Sequence, residues 1–164
     1  MLTGKEIAEA GIITGFVDGA VQQQGIDVRI DSVATISNIG IVPVQGKTRI
    51  PIVNQLEPSY DESGHEQWIL LPGYYEISFM EGVDMPNNAA LHWKTRSSLV
   101  RCGAIIHSGQ FDAGFKTSKA GAFLQVICPI IIERGARVAQ ALVFTSNEVS
   151  NTYNGQFQND IQRK

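Results

Sequence analysis

Little in this chain is basic, sulfur-rich or continuously apolar. Its only cysteines, Cys102 and Cys128, lie far apart with no Cys-x-x-Cys spacing. That excludes a disulfide-dense scaffold and fits a reducing, cytosolic setting, with a single bridge left open. Lys and Arg number 13 against 16 Asp and Glu, a net charge of −3. The chain therefore has no footprint for duplex nucleic acid or an anionic membrane, and an anionic ligand must be met by a local basic site. The longest apolar runs, such as Val126 to Ile132, fall far short of the roughly 20 residues that span a bilayer. The amino terminus lacks a basic segment leading into an apolar one, so a soluble cytoplasmic protein is expected.

Standard catalytic signatures are missing too. His65, His92 and His107 have no metal-ligand spacing, and Cys128-Pro129 lacks the second cysteine of a zinc deaminase. The sequence contains no Gly-x-Ser-x-Gly elbow, P-loop or dinucleotide fingerprint. Charged residues make up only 18% of the 164, and apolar residues 43%, which places most of the chain in one folded domain rather than a disordered one.

The punctuation is that of a β protein. Thr3-Gly4-Lys5-Glu6 has the capping-box spacing and opens a short helix with Ile7, Ala8 and Ile12 on its apolar face. Strands are predicted at 28–36, 50–53, 68–71, 74–79, 104–107, 122–132 and 138–144, between turn signals such as Pro72-Gly73 and Ser108-Gly109. Such spacing predicts an all-β sandwich, jelly roll or distorted barrel. The polar stretch 54–67 reads as a surface loop. Ser97 to Cys102, closed by Gly103, reads as a short internal helix capped by a serine. Residues 1–145 are expected to form the domain. The polar residues 146–164 form a tail expected to be mobile or to lie on another surface.

Two strings carry chemistry. Arg96-Ser97-Ser98-Leu99-Val100-Arg101 places two guanidinium groups around two hydroxyls at a helix start. It is either a phosphate cradle or a capped surface helix with solvated arginines. Gly109-Gln110-Phe111-Asp112-Ala113-Gly114-Phe115 sets a carboxylate beside aromatic rings in a turn. Asp112 either polarises a water while Phe115 stacks on a sugar or base, or forms an Asx turn over a core phenylalanine. The charges opening the strands at Gly25-Ile26-Asp27-Val28-Arg29 and Gly135-Ala136-Arg137-Val138-Ala139-Gln140 suit solvated strand edges.

In order along the chain, these strings resemble the superfamily of trimeric dUTPases and zinc-independent dCTP deaminases, most nearly the deaminase and bifunctional deaminase-dUTPase branch. Leu71-Pro72-Gly73-Tyr74-Tyr75, Asp84-Met85-Pro86 and the tail string Tyr153-Asn154-Gly155-Gln156-Phe157-Gln158 extend the resemblance over nearly the whole chain. It implies a distorted jelly roll (β-clip) with a short N-terminal and a short internal helix. It also implies a homotrimer with sites at subunit boundaries, and Mg²⁺. By the resemblance Arg96, Ser97, Ser98, Arg101 and Gln140 bind the triphosphate, and Gly109, Phe111 and Phe115 hold the nucleoside. Asp112 orients the attacking water, Asp27 helps place hydrated Mg²⁺ through water, and Gln156 and Phe157 are tail contacts.

The chain departs from that pattern in one respect that decides the expected chemistry. The deaminases carry a glutamate ten residues beyond the motif aspartate as proton shuttle, and here an ungapped count reaches Ala122. Thr117 replaces a hairpin glycine, and Gln156 a tail lysine. The expected activity is therefore hydrolysis of dUTP, or a related deoxypyrimidine triphosphate, to monophosphate and pyrophosphate. Deamination of dCTP and a catalytically silent nucleotide-binding trimer are the alternatives.

Overall fold

The computed structural model describes residues 1–147 and 151–159. Helix α1 (Gly4–Glu9) precedes β1 (Ile13–Thr14), β2 (Ile26–Ser37), β3 (Ile52–Gln55), β4 (Ser59–Tyr60), β5 (Glu66–Leu70), β6 (Gly73–Phe79), β7 (Gly82–Asp84) and β8 (Ala89–Thr95). Helix α2 (Ser97–Arg101) is followed by β9 (Ala104–His107), β10 (Lys116–Thr117), β11 (Gly121–Val126), β12 (Ile130–Glu133) and β13 (Arg137–Thr145).

Six strands run β8-β13-β2-β6-β11-β9, with β3 added on β2, and two three-stranded sheets, β1-β7-β10 and β12-β5-β4, complete the described strands. The outermost strands of the row meet. Thr95 Oγ1 accepts from the Ile106 amide at 2.9 Å and donates to the Ile106 carbonyl at 3.3 Å. The sheet thus nearly closes on itself, which removes exposed edges. The result is the expected all-β distorted jelly roll with two short helices. Among the described residues no helix is long and apolar enough to cross a membrane.

Period-two alternation builds the interior. Ala122, Leu124 and Val126 of β11 face inward with Ile77 and Phe79 of β6, while Phe123, Gln125, Glu76 and Ser78 take the other face. Ile26, Ile30, Phe79, Leu91 and Leu124 are fully buried, each contributing roughly 1.5–3 kcal/mol. The capping box forms as its spacing predicts: Thr3 Oγ1 accepts from the Glu6 amide at 3.3 Å, and the Glu6 carboxylate accepts from the Thr3 amide at 2.7 Å. It holds α1 so that Ile7 enters the core.

Four expectations are corrected. The polar stretch 54–67 is loop at 56–58 and 61–65 as expected, but it is interrupted by the two-residue strand β4, which pairs with β5 on the outside of a small sheet, and its two ends belong to β3 and β5. Its turn is closed by Asp61 Oδ1, which accepts from the Ser63 and His65 amides at 2.8 Å each. The single strand expected over 122–132 is two. The Gly103 carbonyl accepts from both Ile127 (2.8 Å) and Cys128 (3.3 Å), and Pro129 has no amide to continue the ladder. Strand β8 was not foreseen, because its alanines, histidine and lysine carry weak strand preference. Its alternate residues Ala89, Leu91 and Trp93 are nonetheless buried. Finally, α2 is capped by the backbone of Arg96 rather than by a serine, with no side-chain cap bond. Ser97 and Ser98 lie one and two residues inside the helix, beyond reach of its first amides. Gly103 does close α2 at φ +82, and a Cβ there would lie 2.9 Å from that of Cys128.

Candidate functional site

Two groups of residues stand apart on the chain. The first surrounds a cleft of about 310 Å³, bordered by Gly109, Phe111, Asp112, Phe115, Ala122 and Phe157 together with Glu76, His107, Phe123 and Tyr153. The Phe111 amide and carbonyl both bond those of Leu91 in β8, at 3.0 and 2.9 Å. The turn 111–115 is pinned further by the Phe115 amide on the Asp112 carbonyl at 3.1 Å and by the Met85 amide on the Phe115 carbonyl at 2.9 Å. Edge-to-face contacts run from the core to the tail: Phe79 to Trp93 (4.9 Å), Trp93 to Phe111 (5.5 Å), Phe111 to Phe115 (5.1 Å) and Phe115 to Tyr153 (5.2 Å). The rings bordering the cleft are therefore braced from both sides.

Asp112 is exposed, and its carboxylate is aimed by a neighbour: Gln110 Nε2 donates to Oδ1 at 2.7 Å. Gln110 Oε1 lies 3.1 Å from His92 Nε2, so His92 fixes the amide that fixes the carboxylate. Oδ2 remains able to accept a proton from a water.

Tail residues 151–159 lie along this turn of their own chain. The Tyr153 amide donates to the Ala113 carbonyl (2.7 Å), and Gln158 takes the Lys116 amide (2.9 Å) while donating to the Gly114 carbonyl (2.8 Å). Phe157, 40% exposed, borders the cleft. Gln156 does not, and its amide donates to the Thr48 carbonyl at 3.1 Å.

The second group centres on Asp27, which is 1% exposed. Arg96 Nε stands 3.1 Å and Arg137 Nη1 3.8 Å from its Oδ2, and Gln140 Nε2 donates to Oδ1 at 3.3 Å. Asp27 and Gln140 are direct partners between β2 and β13. The two strands close on each other there because Gly25 has no side chain: a Cβ would lie 2.3 Å from the Ala141 carbonyl and 2.8 Å from Gln140 Cγ. Arg96 and Arg137 are tied together as well, Arg96 Nη1 donating to the Arg137 carbonyl at 3.1 Å. Ser97, Ser98 and Arg101 are exposed on α2 beside them. Two guanidinium groups facing one carboxylate leave a net positive site.

These groups do not meet within one chain. None of Asp27, Arg96, Arg101 or Gln140 borders the cleft. Phe111 is anchored at Leu91, and Arg96 lies five residues of extended chain further on, about 17 Å away.

A third polar group supports the cleft. The Asp31 carboxyl, buried on β2, takes Lys119 Nζ and Arg134 Nη2 (2.7 Å), and Arg134 also holds Glu66 (2.8 Å). Burial pushes the Asp31 carboxyl up, but bonds and charge from Lys119 and Arg134 outweigh it and hold the group below the usual carboxylate range. Asp31 and Glu66 in turn raise Arg134 above its ordinary value. Lys119 sits in the segment between β10 and β11 that flanks the cleft, so the network fixes that segment to the domain.

Sequence reasoning missed Glu76, His107, Phe123 and Arg137. Ala122 is buried on the same side of β11 as Leu124 and also borders the cleft, and its methyl group supplies no acid there. The carboxylate that joins Asp112 in the cleft comes instead from the next strand, where Glu76 is the direct partner of Phe123. Alternation along 74–79 already put Glu76 on the polar face, but only the β6–β11 pairing tells which face borders the cleft.

A near-closed jelly roll that presents a ring-lined cleft with an oriented carboxylate, and separately a basic cluster, defines the general class of the chain. More narrowly, the chain belongs to the dCTP deaminase-like family, whose model matches residues 2–146. A protein of Halobacterium salinarum named "Probable deoxyuridine 5'-triphosphate nucleotidohydrolase" is 33% identical over 147 residues, 87% of this chain and 86% of that one. The deoxyuridine 5'-triphosphate nucleotidohydrolase of Methanocaldococcus jannaschii is 30% identical over 135 residues, 82% and 85% of the two chains. Among solved structures, the 2'-deoxycytidine 5'-triphosphate deaminase of Agrobacterium tumefaciens superposes with a TM-score of 0.61 at 18% identity, over 87% of this chain. The chain spans 46% of that protein's length, and the likeness is one of fold.

Proposed function

We propose that the protein hydrolyses dUTP, or a close deoxypyrimidine triphosphate, to the monophosphate and pyrophosphate. The observation that carries this is the oriented, exposed Asp112 at a ring-lined cleft, on a chain whose relatives bear the corresponding name. Phe111 and Phe115 pack against the nucleoside at Gly109, and Asp112 aligns a water for in-line attack at phosphorus. Arg96 and Arg101, with Ser97, Ser98 and Gln140, neutralise and bind the phosphate chain.

Because the two groups lie far apart on one chain, the working site takes its cleft from one copy and its cluster from another. A homotrimer is the assembly in this reading, with residues 1–145 as the domain, 146–164 as a tail whose Phe157 meets the nucleotide while Gln156 stays on the Thr48 carbonyl, and a cytoplasmic location. Among the described residues no cluster of three His, Cys, Asp or Glu can hold a metal. In this reading a divalent cation, Mg²⁺, is bound together with the phosphates. Asp27 Oδ2 is buried between Arg96 and Arg137, so in this reading Asp27 bears on the cation only indirectly, through water. Such a cation supplies charge neutralisation at the phosphate oxygens.

Glu76 favours a second reading, deamination of dCTP, since a cleft carboxylate could carry a proton between water and the departing amine. Pyrophosphate and ammonia release separate the two. Pyrophosphate from dUTP that disappears in Asp112→Asn supports hydrolysis. Ammonia from dCTP that disappears in Glu76→Gln would replace it with deamination, and tight binding without either product would leave a silent nucleotide-binding trimer.

A further inference from the structure

The floor of the cleft is a row across three strands. Phe123 of β11 is paired directly with Glu76 of β6 on one side and with His107 of β9 on the other. Direct antiparallel partners share a face with Cβ atoms about 5 Å apart, so Glu76 and His107 stand about 10 Å apart across the Phe123 ring. All three border the cleft that Asp112 opens into. His107 is also aimed: its Nε2 lies 2.9 Å from Gln125 Oε1, and Gln125 Nε2 donates to the Tyr74 hydroxyl at 3.1 Å. With that amide orientation Nε2 is the donor, and Nδ1 is left for another partner. Phe123 is only half-buried and faces away from the core.

We infer that this row reads the base. An aromatic floor between two polar groups is what a flat heterocycle with donors and acceptors on its edge requires. A pyrimidine stacks on Phe123 and Glu76 accepts an N–H of its pairing edge, while His107 walls the opposite edge, which carries only C–H groups. A cytosine and a uracil differ in where that N–H lies, so Glu76 discriminates between them, and Phe123 binds both alike. The inference rests on the reading of this cleft as a pyrimidine nucleotide site.

The test is calorimetric titration of the purified full chain with dUTP and with dCTP, in EDTA to prevent turnover. Phe123→Leu weakens both nucleotides about ten-fold or more and leaves their ratio unchanged, while Phe123→Trp, which keeps an aromatic face, binds within a few-fold of wild type. Glu76→Gln shifts the dUTP to dCTP affinity ratio by about ten-fold, while His107→Asn weakens both nucleotides alike and leaves the ratio unchanged. Wild-type affinities and ratio retained in all four variants would overturn the row as base reader while leaving the nucleotide site intact. A wild-type protein that binds neither nucleotide would overturn the pyrimidine reading itself, and the row with it.

Discussion

Replacing Arg29 by methionine should destabilise the protein far more than removal of a surface ion pair would. Glu81 is 0% exposed. Its carboxylate accepts from the Arg29 amide at 2.8 Å and from Arg29 Nε at 2.7 Å. Methionine keeps the stem and the amide bond but strips the only cation bonded to Glu81 among the described residues, leaving a buried charge half-satisfied. Breaking such a pair typically costs about 3–5 kcal/mol, which is roughly two to four powers of ten in the folding constant. An exposed pair such as Lys5–Glu9 contributes about 0.3–0.5 kcal/mol. Arg29 also stands directly opposite Arg137 between β2 and β13. Glu81 shields one guanidinium of that like-charged pair and Asp27 the other, so the loss reaches the basic cluster. The Glu81 carbonyl takes the Ala120 amide at 3.0 Å, which ties the cleft-flanking segment to the same point. Urea unfolding at fixed protomer concentration measures the loss, since an assembly's stability depends on that concentration. The double variant Arg29→Met, Glu81→Leu should recover most of it, because an apolar pair needs no compensation. A single-variant cost below about 1 kcal/mol, or a double variant no better than Arg29→Met, would refute this role for the pair.

Gly25→Ala forces a Cβ to within 2.3 Å of a carbonyl and 2.8 Å of Gln140. It should therefore raise the KM for nucleotide several-fold with little change in the cleft, as steady-state kinetics and Tyr and Trp fluorescence would show. The Asp31 carboxyl is held low by Lys119 and Arg134, so its stabilising effect is present above the unfolded carboxylate value, near 3.8, and is lost as pH falls through the lower folded value. In Lys119→Met the folded value rises, and acid unfolding should lose part of its pH slope below about pH 4, measured by circular dichroism. If, as proposed, the cation enters with the phosphates, chelation by excess EDTA should abolish pyrophosphate release without unfolding the protein, as activity and circular dichroism would show together.

Much of the fold was legible because its signals are local. The capping box at Thr3 and Glu6, the period-two run at 74–79 and the glycine closing α2 each act within a few residues. Strand β8 escaped because its place is set by partners distant in sequence, β13 and the Phe111 turn, and not by its own composition. The site divided along the same line. Asp112, Phe111 and Phe115 share one turn and could be grouped by eye. Arg96 joins Asp27 and Gln140 only through the pairing of β2 with β13. Glu76 and His107 reach the cleft only through β11. Ala122 does border the cleft, but counting along a chain could not show that a second carboxylate, Glu76, reaches the same cleft from β6.

In the proposed assembly the Asp112 cleft of one copy and the Arg96 cluster of another act as one hydrolytic site. Asp112→Asn and Arg96→Ala proteins, each inactive alone, should be mixed, unfolded and refolded together, and assayed for pyrophosphate release from dUTP. Random assembly in a closed ring places an intact cleft against an intact cluster at about one site in four, so about a quarter of wild-type activity should return. A mixture no more active than the two variants apart would contradict the shared site.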